Sequence, residues 1–133
     1  MIVGVGTDIL RVARIEAAIA KHGARFAEKI LGIEELVIWR QRSGQSAQRG
    51  LLFLASRFAA KEAFSKAIGL GMRAPMNWHA IQILSDGRGK PTLLPDAAMA
   101  SWLRERDLSA HVSLSDEQEY ALAFVVVEQA KFS

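Results

Sequence analysis

The chain has 133 residues, half of them hydrophobic and 23% charged, with a formal net charge of +3 and no cysteine. That length suits one domain with a proper core, and such a composition excludes a largely disordered chain. The missing cysteines exclude disulfides, thiolate zinc sites and a cysteine nucleophile.

No apolar run reaches the length of a membrane span, and the opening MIVGVGTDIL has neither a basic n-region nor a cleavage site. We therefore expect a soluble, unprocessed protein without membrane association, and the missing cysteines are compatible with a cytoplasmic location. The charge bias is smaller than a dedicated nucleic-acid binder carries, and it suits an acidic partner or a phosphorylated ligand.

In chain order, Ile2 to Ile9 is short, β-branched and punctuated by glycine, which predicts a strand. Val12, Ile15 and Ile19 are spaced for a helix over Val12 to His22, with Gly23 as its C-cap. ARFAEKIL predicts a further turn or two of helix before Gly32, and EELVIWRQR a third short helix. QRSGQSAQRG, from Gln41 to Gly50, has the polar composition of a mobile loop. A long helix is expected from Leu51 to Ile68, ending in Gly69–Gly71. AIQILS and KPTLLP bracket DGRG and predict a hairpin, PDAAMASWLRERD a helix, and HVSLSDEQEYALAFVVVE a second hairpin turning near Asp116–Glu119. Five strands and five helical pieces in mixed order make an α+β fold.

Several stretches have residue types suited to chemistry. VGVGTD places two glycines before Asp8, yet the third glycine of a dinucleotide fingerprint is replaced by Ile9 and no Walker lysine follows. Asp8 then reads either as an acid presented at a strand end or as a cap for the next helix. On the long helix, apolar residues surround a narrow polar stripe of Arg57, Lys61, Glu62, Ser65 and Lys66. Glu62 and Lys66 are four apart, so a plain surface ion pair competes with a groove or interface. Arg11, Arg14, Lys21 and, if the helix continues past Gly23, Arg25 share a face that is either solvated or a docking surface for an acidic helix or phosphate.

DGRGKP is either an ordinary turn or a cationic phosphate cradle. In HVSLS, alternation puts His111, Ser113 and Ser115 on one face, but no triad and no GxSxG elbow accompanies them. His22 and His79 have no partner at metal-ligand spacing and read as structural.

Together VGTDIL with Asp8, RFAAKEAFSKAIG with Glu62, GRGKP and HVSLSDEQEYALAFVVVE follow the order and spacing of one family. Over nearly its whole length the chain resembles the small bacterial holo-[acyl-carrier-protein] synthases, the 4′-phosphopantetheinyl transferases of fatty acid synthesis. The resemblance implies an α+β domain over 1–133 that moves the phosphopantetheine arm of coenzyme A to a serine of apo-acyl carrier protein. It implies Mg²⁺ held by Asp8 and Glu62, with Lys66 on the pyrophosphate, these three forming the catalytic group. Arg57, Ser65, Gly89, Lys90, Pro91, His111 and Ser113 become further coenzyme A contacts, and Arg14, Lys21 and Arg25 ion-pair donors for the acidic carrier.

It also implies a homotrimer with sites between protomers. Leu10 stands where larger, monomeric relatives have a second acid, which favours the small trimeric class. Gly32 replaces the Ser or Thr that often caps the next helix, and Arg42 or Arg49 is placed for the 3′-phosphate if the loop there reaches the nucleotide. Two rival readings are a non-catalytic basic domain that docks acidic proteins or RNA, and an oligomer in which Glu62 and the lysines only cement an interface.

Overall fold

A computed structural model of the protein describes residues 1–130; positions 131–133 of the expected domain lie outside the described residues. The chain runs β1 (Ile2–Arg11), α1 (Val12–His22), α2 (Ala24–Ile30), α3 (Ile33–Gln45), α4 (Ala47–Ala67), β2 (Ile81–Ser85), β3 (Pro91–Pro95), α5 (Ala97–Glu105), β4 (Leu108–Asp116) and β5 (Tyr120–Gln129). β1, β5 and β4 form an antiparallel sheet in that spatial order, and β2 and β3 form a separate hairpin. The α+β class and both hairpins are as the sequence predicts.

α4 packs against one face of the three-stranded sheet, and alternation decides which side chains meet it. On β1 the inward positions are Gly4, Gly6, Asp8 and Leu10; on β5 they are Ala121, Ala123, Val125 and Val127. The two strand glycines have a steric purpose. A Cβ on Gly6 would be driven into the carbonyl oxygen of Ala63, and one on Gly4 into that of Ala67. With alanines at 59, 60, 63 and 67 on the helix side, strand and helix backbones approach as only small residues allow.

The sequence reading of 41–50 as a mobile loop is wrong. α3 continues to Gln45 and α4 begins at Ala47, so the polar segment is helical on both sides of Ser46. Ser46 is extended, and its Oγ accepts from Arg49 N at 3.0 Å, an N-cap that starts the new helix. Gly50 lies against Ser43, where a Cβ would collide with the serine side chain. The glycines and serines that suggested disorder make a tight helix–helix joint. Arg11, grouped with the first helix from its spacing, is instead the last residue of β1.

Gly32 caps α3 without a side chain, and its cap comes from elsewhere. Gln82 on β2 accepts from Glu34 N and Glu35 N at 3.0 and 3.1 Å, occupying the space a Cβ on Gly32 would need. Next to it is a buried ion pair that sequence reading did not find. Lys61 and Glu35 are both 0% exposed and 2.6 Å apart. Lys61 Nζ also donates to the carbonyls of Ile30 and Trp78, while Glu35 accepts from Gly32 N and Ile83 N. Burial lowers the lysine pKa and Glu35 opposes that shift. The pair joins α2, α3, α4, β2 and the segment before β2.

Two stability outcomes follow from this packing. Gly6→Ala should cost more than about 4 kcal/mol or prevent folding, measured by urea denaturation, because backbone must move to admit the methyl group. Glu35→Gln should cost about 3–5 kcal/mol by leaving Lys61 charged and unpaired, and Glu35→Gln with Lys61→Met should recover much of that loss.

Candidate active site

Along α4 from Phe53 to Ala67, only Phe58, Glu62 and Lys66 reach solvent; every other side chain is buried. They are four residues apart, so they form a single line up the helix. Lys61, which the sequence placed in the polar stripe, is inside the core. The stripe is therefore narrower than its composition suggests.

β1 runs alongside this line and brings Asp8 to it. Helical side chains lean toward the N-terminus of their helix, so Lys66 reaches back over the strand. Its Nζ donates to the carbonyl of Thr7 at 3.1 Å and to Asp8 Oδ1 at 3.3 Å. The surface ion pair between Glu62 and Lys66 is thus replaced by a pair between Lys66 and Asp8. Asp8 does not cap α1, whose N-terminus has no side-chain cap; Val12 N donates instead to Glu119 O.

Glu62 has its pKa raised, first by partial burial and then by the charge of Asp8, while Lys66 and Arg14 pull it down. Two carboxylates, a lysine and an arginine from β1, α4 and α1 therefore act on one another across a small area. Among the described residues no three His, Cys, Asp or Glu side chains cluster. A two-carboxylate set of this kind fits Mg²⁺, which is held by one or two carboxylates with phosphate and water completing its shell. Thiolate-rich or three-histidine metal chemistry has no ligands here.

The other expected contacts are distributed. Ser65 is buried, and its Oγ donates to the carbonyl of Glu62, which orients the turn that carries Glu62. Arg57 is also buried: its Nε donates to Ile83 O, one terminal nitrogen donates to Ser56 Oγ, and the guanidinium lies 4.0 Å from the centre of the Phe53 ring. Burial lowers its pKa to about 10, against the pull of Glu35. Arg42 lies 5.2 Å over the same ring, and with Arg49, Arg57 and Asp116 it lines a cavity of about 120 Å³. The Gln41–Gly50 segment supplies Arg42 and Arg49 to this cationic hollow, and α4 and β4 supply the rest.

Gly89 and Lys90 lie in the β2–β3 turn and Pro91 opens β3, with Gly89 at φ +84° and Asp86 Oδ1 accepting from Arg88 N and Lys90 N. No hydrogen bond or ion pair among the described residues joins this turn to Asp8, Glu62 or Lys66. His111 and Ser113 lie on the outer face of the sheet, opposite the face that carries Asp8, and His111 Nε2 is 2.7 Å from Glu128 Oε1.

Arg14 and Lys21 are exposed on α1. Gly23, at φ +65°, ends that helix, so exposed Arg25 belongs to α2 and not to a continued α1.

Comparison with known proteins gives a consistent result. The model of the 4′-phosphopantetheinyl transferase superfamily matches residues 4–125. A holo-[acyl-carrier-protein] synthase of Herminiimonas arsenicoxydans is 57% identical over 129 residues, covering 97% of this chain and 99% of that protein. The crystal structure of the holo-[acyl-carrier-protein] synthase of Neisseria meningitidis superposes with a TM-score of 0.89 at 43% identity, covering 97% of this chain and all of that one. That of the Bacillus anthracis enzyme, in complex with CoA (3′,5′-ADP), does so with a TM-score of 0.80 at 37% identity, covering 98% and 99%. The chain therefore belongs to the 4′-phosphopantetheinyl transferase superfamily.

Proposed function

We propose that the protein transfers 4′-phosphopantetheine from coenzyme A to a serine of an apo-acyl carrier protein, releasing adenosine 3′,5′-bisphosphate, as a step of fatty acid biosynthesis. The observation that carries this reading is the single solvent-open line of α4, with Asp8 set against it by β1. The serine oxygen bonds to the phosphorus that bears the pantetheine arm, and the bond from that phosphorus to the nucleotide's bridging oxygen breaks. The hydroxyl proton leaves the serine, and the electron pair of the broken bond departs with the nucleotide.

Asp8 and Glu62 are the residues that would hold Mg²⁺. When bound, the ion supplies charge stabilisation to the pyrophosphate and its leaving oxygen. Lys66, now turned to Asp8 and the Thr7 carbonyl, has a long stem and half its side chain exposed, so it can turn to a phosphate oxygen. Ser65 fixes the turn of Glu62 through the peptide carbonyl. Arg42 and Arg49 offer charge for the nucleotide's 3′-phosphate, and buried Arg57 stiffens the same wall.

The site is shared between copies in this reading. Asp8 points to the inner sheet face and His111 with Ser113 to the outer one, so one chain cannot turn both toward the same ligand. The outer face also exposes Val3, Val5, Ile9, Leu122 and Phe124 on neighbouring strands. A contiguous apolar sheet face of this kind supports burial against further copies, as a homotrimer. His111, Ser113 and the Gly89–Lys90–Pro91 turn then complete the coenzyme A site of the adjacent protomer.

Arg14, whose charge acts on Glu62, gives the acidic carrier a basic surface together with exposed Lys21 and Arg25. Among the described residues no helix is long and apolar enough to cross a membrane. We assign the cytoplasm as its place of action, residues 1–133 as one domain, and neither membrane nor nucleic acid as a partner.

Incubation with Mg²⁺, coenzyme A and an apo-acyl carrier protein, followed by intact mass, should show the carrier gaining one phosphopantetheine. No gain with any apo carrier tried would refute the reading. Asp8→Ala and Glu62→Gln should each lower the rate on the order of 10²–10³-fold with the fold retained. The ligand-free protein should respond in the opposite sense to Glu62→Gln. Because Glu62 has a raised pKa when folded, the native state binds its proton over a range where the unfolded chain has released it. Stability therefore falls as pH rises through that range, and the neutral glutamine should melt higher than wild type at pH 7.

A further inference from the structure

The hollow at the start of α4 holds three arginines and one acid: Arg42, Arg49, Arg57 and Asp116 line its roughly 120 Å³. Arg42 and Arg57 both lie over the Phe53 ring, at 5.2 and 4.0 Å, and the charge of Arg42 opposes that of Arg57. Arg57 is 5% exposed, with Nε bonded to Ile83 O and one terminal nitrogen to Ser56 Oγ. Its other terminal nitrogen has no hydrogen bond among the described residues, yet no side-chain polar atom is sealed away unsatisfied. That nitrogen therefore opens on the hollow.

Asp116, the last residue of β4, comes to the same hollow from the sheet. Gln48 Nε2 donates to Gln118 O at 3.0 Å, and Glu117 N to Tyr120 O at 2.9 Å, so the β4–β5 turn is fastened to the first turn of α4. The acid is exposed, and among the described residues its carboxylate makes no hydrogen bond and no ion pair. Without a bond to any guanidinium it does not orient the arginines. It acts through its charge on whatever enters the hollow.

We propose that Asp116 sets how tightly the nucleotide is held, by opposing the 3′-phosphate in the hollow. The inference rests on the transfer reading above and on its placing of that phosphate at Arg42 and Arg49. The transfer leaves the 3′-phosphate untouched, so attraction there is the same for coenzyme A and for the bisphosphate released from it. Such uniform binding holds the product as firmly as the substrate and adds nothing to the chemical step. Three guanidiniums around one small volume would bind a phosphate dianion strongly. A fixed carboxylate at the same place weakens substrate and product alike and lets the nucleotide leave.

The test uses two ligands that differ only in the 3′-phosphate. Calorimetry with Mg²⁺ measures binding of adenosine 3′,5′-bisphosphate and of adenosine 5′-monophosphate to wild type, Asp116→Asn and Asp116→Glu, with melting curves for each. We expect Asp116→Asn to bind the bisphosphate about fivefold more tightly, and the monophosphate within about twofold of wild type. Asp116→Glu keeps the charge and should show no gain. The gain should shrink in about 0.5 M salt, and in the transfer assay the bisphosphate should inhibit Asp116→Asn at about fivefold lower concentration.

Unchanged or weaker bisphosphate binding by Asp116→Asn would overturn the proposal, and the weaker case would make Asp116 a support for the arginines. Equal tightening for both nucleotides would overturn it too, since the effect would then not be aimed at the 3′-phosphate. A wild type that binds the two nucleotides equally would take that phosphate out of the hollow and the proposal with it. If the unaltered protein transfers nothing, the parent reading fails; transfer without a gain in Asp116→Asn defeats the role of Asp116 alone.

Discussion

Everything at the site depends on how closely β1 lies on α4. Two missing side chains, at Gly4 and Gly6, let the strand sit against the carbonyls of Ala67 and Ala63. Two residues forward along the strand match four residues back along the helix, so the contacts repeat in step and hold the two elements in register. Asp8 continues the same inward alternation and arrives beside the open line of α4 as a result. A residue larger than glycine would separate the carboxylates by lifting the whole strand, leaving both acids present but too far apart to share a ligand. Backbone proximity here is a condition for the electrostatics.

That electrostatic arrangement is unfavourable on its own account. Glu62 and Asp8 repel, and partial burial makes charge on Glu62 less favourable still. Lys66 and Arg14 offset part of this, yet the carboxyl keeps its proton more readily than an isolated one. Such unsatisfied charge suits a site that receives a multivalent cation and a polyanion together, since each answers a different part of the imbalance. The buried part of α4 is free of this tension: Arg57, Ser56 and Lys61 all have hydrogen-bond partners within the core.

Periodicity and turn chemistry made most of the fold legible, because strands here alternate and both hairpins have tight polar turns. It failed at Gln41–Gly50, where glycine and serine serve close helix packing and capping, uses that composition cannot separate from disorder. Asp8, Glu62 and Lys66 could be singled out as a group only through the family pattern, since their meeting depends on a strand lying against a helix far away in sequence. Glu35 was missed altogether. Its local signal is an acid in the first turn of α3, which normally means a solvated helix start. Only the fold reveals that a lysine from α4 fills the space above it. A lysine inside an otherwise apolar helix was the available clue, and its demand for a buried acid could have been followed.

The Glu35–Lys61 pair constrains how this sequence can change over time. Replacing either partner alone strands the other's charge in the core, so single-step routes away from the pair pass through a badly destabilised chain. A nonpolar pair of similar volume would serve the packing, yet it is separated from the present one by that valley. The backbone bonds made by Lys61 deepen it, since Ile30 and Trp78 would lose their donor at the same moment. The ion pair is therefore an inherited lock. Neighbouring positions can drift one at a time, while these two must be exchanged together or kept.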